Sequence, residues 1–80
     1  MTDERRKAVH ELDVTVWVGK AGIESVTAEL RTQLEDADLV KVKFLRAARG
    51  GTTTAELAER LAELTGAELV ETRGHTAVYH

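Results

Sequence analysis

Apolar Val14, Val16 and Val18 alternate with Thr15 and Trp17, the two-residue period of a strand with one buried face. This predicts a strand over about residues 13–18. From Ile23 the period lengthens. Ile23, Val26, Leu30, Leu34 and Ala37 step by three, four, four and three, predicting an amphipathic helix from residue 23 or 24 to 37. Alternation returns over residues 39–45, with Val40, Val42 and Phe44 on one face and Lys41 and Lys43 on the other. Thr53-Thr54-Ala55-Glu56 has the spacing of a capping box with Thr53 as cap. Leu57, Ala58, Leu61, Ala62 and Leu64 carry the next helix to Thr65, where Gly66 stops it. Residues 67–72 and 75–79 read as two more strands, closed into a hairpin by a tight turn at Arg73-Gly74. At the start, residues 2–10 read as a short helix with acids early and bases late. Its apolar stripe is thin: Ala8, Val9 and Leu12.

The predicted order is α-β-α-β-α-β-β, an α/β (α+β) chain. Right-handed crossovers then place the two long helices on one face of a small, four-stranded mixed sheet. Their stripes meet Val14, Val16, Val18, Val40, Val42 and Phe44. The other face shows Thr15, Trp17, Lys41 and Lys43, unless the N-terminal helix covers it.

Eighty residues suit one domain, spanning 1–80. There is no cysteine, which excludes disulfides and thiolate metal sites. Hydrophobic residues at 42% and charged residues at 31% fit a folded chain. No apolar run approaches the ~20 residues of a membrane span, and no signal-peptide pattern opens the chain. The expectation is a cytoplasmic monomer with no membrane partner.

The net charge of −3 hides a segregation. Residues 21–38 and 56–72, the two long helices and their flanks, each hold five acids and one base. Between them, residues 39–55 hold Lys41, Lys43, Arg46 and Arg49 and no acid, and Arg73 makes the last eight residues basic. A basic site on an acidic body is expected.

Gly19-Lys20-Ala21-Gly22 joins the first strand to the first long helix. Two glycines permit a sharp turn and close approach by another backbone. The following helix would aim free N–H groups and its positive dipole end at the loop, and Lys20 adds full charge. Such a loop is either an ordinary strand–helix turn or a GxxG clamp on backbone nucleotides, as in KH domains. It lacks the Walker spacing.

These residues resemble a known family. Residues 18–23, Val-Gly-Lys-Ala-Gly-Ile, are similar to the GKxG loop of the CRM (chloroplast RNA splicing and ribosome maturation) domain, the YhbY-like RNA-binding family. Residues 38–43, Asp-Leu-Val-Lys-Val-Lys, resemble its E-L-[IV]-K-V-K strand. Residues 65–70 followed by 73–79 resemble its closing T-G-A-x-x-V…G-x-x-x-V-x-Y hairpin. The resemblance implies a fold like the C-terminal domain of bacterial translation initiation factor three, and binding to ribosomal RNA or precursors of the large ribosomal subunit. It also implies an archaeal-type, stand-alone member.

Other residues keep two readings. Lys41 and Lys43 are either the solvated face of a strand or, with Arg46 and Arg49, a phosphate track. Trp17 either packs under the N-terminal helix or stacks on a base. Gly50-Gly51-Thr52 is a plain capped loop or a second anion nest to which Arg49 lends charge. His10, His75 and His80 lack metal-ligand spacing, and no nucleophile–base set stands out, so neither metal, cofactor nor catalysis is expected. The candidate RNA-binding residues are Gly19, Lys20, Ala21, Gly22, Lys41, Lys43, Arg46, Arg49, Arg73 and Trp17. The alternative is a protein-interaction module docking on ribosomal or RNA-processing machinery through the acidic helices. An enzyme acting on a phosphorylated small molecule at the glycine loop is a distant third.

Overall fold

The computed structural model describes Val9 and residues 11–80. Except for Val9 and Glu11, both helical, the expected N-terminal helix lies outside the described residues, His10 included. Strand β1 (Val14–Val18) is followed by a four-residue 3-10 turn (Ile23–Val26) and helix α1 (Thr27–Asp36). Then come β2 (Val40–Phe44), a short 3-10 turn (Arg46–Ala48) and helix α2 (Thr54–Thr65). Strands β3 (Leu69–Arg73) and β4 (Thr76–Tyr79) close the chain as a hairpin. The sheet order is β1-β2-β4-β3, with β1 and β2 parallel and the other pairs antiparallel.

The core lies between the helices and one face of the sheet, as the apolar pattern requires. Val16, Val18, Val40, Val42 and Phe44 meet Ile23, Val26 and Leu30 on one side and Leu57, Ala58 and Leu61 on the other. Val14 departs from the expected face. The β1–β2 register shifts between Val14 and Val16, and Val14 is only half-buried. Thr15 is exposed, as expected, at the free edge of the sheet. Its hydroxyl donates to the Gln33 amide oxygen, and Gln33 donates back to the Thr15 carbonyl at 3.2 Å. The α1 side chain thus covers polar groups on the free edge of β1.

The first long helix starts differently from its apolar period. Residues 23–26 form a 3-10 turn and the α-helix begins at Thr27. Local hydroxyls explain the difference: Ser25 donates to the Gly22 carbonyl at 2.7 Å and Thr27 to the Ile23 carbonyl at 3.3 Å. Such side-chain bonds compete with the regular helical pattern. Ala37 is the extended, exposed residue that ends α1.

Helix α2 follows its sequence signals closely. Thr53 caps it by accepting the Glu56 amide at 3.2 Å, and Gly66 ends it at φ 75°. The reciprocal half of the capping box is replaced: the Glu56 carboxylate accepts the Thr52 hydroxyl at 2.7 Å. In the hairpin, Arg73 pairs with Thr76, so the tight turn is Gly74-His75 and not Arg73-Gly74. Gly74 takes φ 57°, as the first position of a two-residue hairpin loop demands.

Candidate nucleic-acid interface

Topology gathers three loops at one end of the sheet. Parallel β1 and β2 both end there, leading into residues 19–22 and 46–53. Strand β4 runs antiparallel to β2, so its hairpin turn arrives at the same end, where the Phe44 amide donates to the His75 carbonyl at 2.8 Å. Lys20, Arg46 and Arg73 are all exposed there.

The glycine loop is a tight turn closed by the Gly22 amide donating to the Gly19 carbonyl at 3.0 Å. Lys20 and Ala21 occupy its exposed corner. The two glycines differ. Gly22 sits at φ 85° and ψ 176°, a region essentially reserved for glycine. Gly19 has no positive φ, and a Cβ there would only touch Leu45 Cδ1 at 3.9 Å. The turn needs Gly22; Gly19 keeps the surface open. The expectation of a regular helix N-terminus aimed at this loop is corrected, because the 3-10 turn separates the loop from α1. An acid is also close: a Cβ on Gly22 would lie 3.2 Å from Glu24 Oε2.

The sheet face opposite the helices carries the second group of bases. Register pairs place Trp17 beside Lys43, Lys43 beside Thr76, and Thr76 beside Arg73, a row across all four strands. The next row runs Lys41, Val78, Glu71. Here the two strand lysines part company. Lys43 is exposed, while Lys41 is half-buried and lines a cavity of about 250 Å³ with Val9, Glu71, Arg73, Thr76 and Val78. Val9 and Val78 are buried there, so Val9 packs against this side of the face. Trp17 is 54% exposed; apart from Val9 and Glu11, the N-terminal helix under which one reading packs it lies outside the described residues.

Arg49 is half-buried and donates from Nε to the Phe44 carbonyl at 3.1 Å. It fastens the loop after β2 to the strand end, a tie that no sequence spacing announces. His75, missed as a site residue, lies in the same loop cluster with Nδ1 3.2 Å from Thr54 Oγ1, linking the hairpin turn to the start of α2. His80 lies away from the loops, with Nδ1 3.5 Å from Glu68 Oε2. Tyr79 is fully buried in the core.

Charged loops above an acidic body suit a polyanion better than a small neutral ligand. Comparison with known proteins points the same way. Residues 2–80 match the CRS1/YhbY (CRM) domain profile. A protein of Methanocaldococcus jannaschii named as a probable RNA-binding protein is 43% identical over 70 residues, covering 88% of this chain. The chain spans about half, 52%, of that relative's length. The solution structure of a hypothetical protein from Staphylococcus aureus, described as a candidate RNA-binding protein, superposes with a TM-score of 0.73. It is 34% identical, and the match covers 94% of this chain and 77% of that one.

Proposed function

Because the chain belongs to the CRS1/YhbY (CRM) domain family, we propose that it binds RNA, and that its RNA is structured ribosomal RNA during assembly of the large subunit. The activity is binding and not catalysis. One observation carries this reading: three loops from three strand ends meet at one end and expose Lys20, Arg46 and Arg73 on a chain of net charge −3. Lys20, at the corner of the Gly19–Gly22 turn, contacts phosphate. Gly19 leaves room for the nucleic-acid backbone, while Arg46, Lys43 and Arg73 extend the footprint along the sheet face. Phosphate contacts of this kind supply affinity and register. The probable RNA-binding relative in an archaeon supports the same partner class.

Titration into labelled fragments of large-subunit ribosomal RNA, across a salt series, tests the proposal. Saturable binding that weakens with salt and is lost in Lys20→Glu is the expected result. No binding at low salt by the folded protein refutes it, and would favour a protein partner docking on the acidic helices.

A further inference from the structure

Resting on the RNA-binding reading, we infer that Trp17 is a stacking platform for one unpaired nucleobase of the bound RNA, with Lys43 holding the phosphate beside it. The chain has three aromatic residues, Trp17, Phe44 and Tyr79. Phe44 and Tyr79 are 0% exposed, whereas Trp17 is more than half exposed on the edge strand. Nearby, Leu45 is exposed as well. Its amide donates to the Val18 carbonyl at 2.8 Å, continuing the parallel ladder and placing it one step past Phe44, on the face of Lys43. Trp17 and Leu45 therefore flank the start of the glycine loop, on the open face of the sheet.

What could cover such a surface is set by its neighbours. Lys43 is the register partner of Trp17, Lys20 lies three residues along the chain, and Arg73 ends the same row. Row neighbours are about 4.8 Å apart, so Trp17 and Arg73 are separated by roughly 14 Å. A flat apolar ring bordered by cations matches a nucleotide, whose base offers a π-face and whose phosphate carries charge. A paired base inside a helix is already stacked and offers no free face, so the platform selects a loop, bulge or single strand. Phosphate contacts alone would bind duplex and single strand alike. Trp17 adds the preference.

The chain's single tryptophan makes the test direct. A short mixed-sequence single-stranded RNA, and the same strand annealed to its complement, are titrated while Trp17 fluorescence and affinity are followed. Quenching by the single strand but not by the duplex is expected. Trp17→Ala should weaken single-strand binding roughly tenfold and duplex binding less than twofold. It should leave the salt slope unchanged, since no phosphate contact is lost. Trp17→Phe should recover most of the loss. Single-strand binding that depends on Lys20 but neither quenches Trp17 nor weakens in Trp17→Ala overturns the stacking inference and leaves RNA binding standing. Failure of both RNAs to bind the folded protein overturns both.

Discussion

Tyr79 donates its buried hydroxyl to the main-chain carbonyl of Ala58 at 2.7 Å, tying inner strand β4 to the middle of α2. Burial pushes the phenol well above its ordinary range. The folded state therefore keeps a proton that the unfolded chain releases above pH about 10. The associated stability is fully present below that pH and is lost as pH rises further. Denaturant midpoints measured across the alkaline range should fall for the native chain. Tyr79→Phe should flatten that fall, while costing about 1 kcal/mol at neutral pH.

The two glycines of the basic turn separate folding from binding. Gly22→Ala forces a side chain into a backbone region open almost only to glycine and should cost about 1–3 kcal/mol. Gly19→Ala meets only an ordinary contact with Leu45 and should leave the thermal midpoint nearly unchanged. Its RNA affinity should fall, because the added methyl stands where the nucleic-acid backbone approaches. Unaltered affinity in Gly19→Ala would place that approach elsewhere.

Lys41 and Lys43 are predicted to behave differently despite their shared strand. Lys43→Gln removes an exposed cation from the row containing Trp17 and should reduce the slope of log affinity against log salt by about 0.7. Lys41→Gln, in the cavity shared with Glu71, should change the slope little. Equal effects would mean that RNA reaches past Val9 to the second row.

The cap on α2 gives a stability test remote from the sheet face. Thr53→Ala removes the acceptor for the Glu56 amide and should cost about 1 kcal/mol. In a chain of this size that amounts to a fall of about 4–8 °C in Tm. Thr52→Ala should cost less, since it breaks only an exposed hydroxyl–carboxylate bond.

Local chemistry was legible; long-range placement was not. Helix α2 could be bounded from Thr53 and Gly66 because a cap and a left-handed stop act within a few residues. The hairpin turn shifted by one residue because its register is held by β4 pairing with β2, Lys43 against Thr76, beyond the reach of turn composition. The start of α1 yielded to the hydroxyls of Ser25 and Thr27, which an apolar period does not weigh. Among site residues, the Gly19–Gly22 loop and the exposed bases Lys43, Arg46 and Arg73 could be picked out by type and spacing. Their convergence at one end required the strand order. Arg49's tie to Phe44 and the exposure of Trp17 depend on neighbours distant in sequence, so residue type alone left each open.

The gathering of three loops at one end also bears on how a partner arrives. Glu29, Glu35, Glu59 and Glu63 are exposed on the helices, where they outnumber the exposed Arg31 and Arg60. On the proposed RNA-binding function, a phosphate chain would be repelled by the acidic helices and drawn to the loop end before contact. That turns the protein in flight and shortens the rotational search that limits most encounters. Its capture rate should thus fall steeply with ionic strength, even though its overall charge has the same sign as that of RNA.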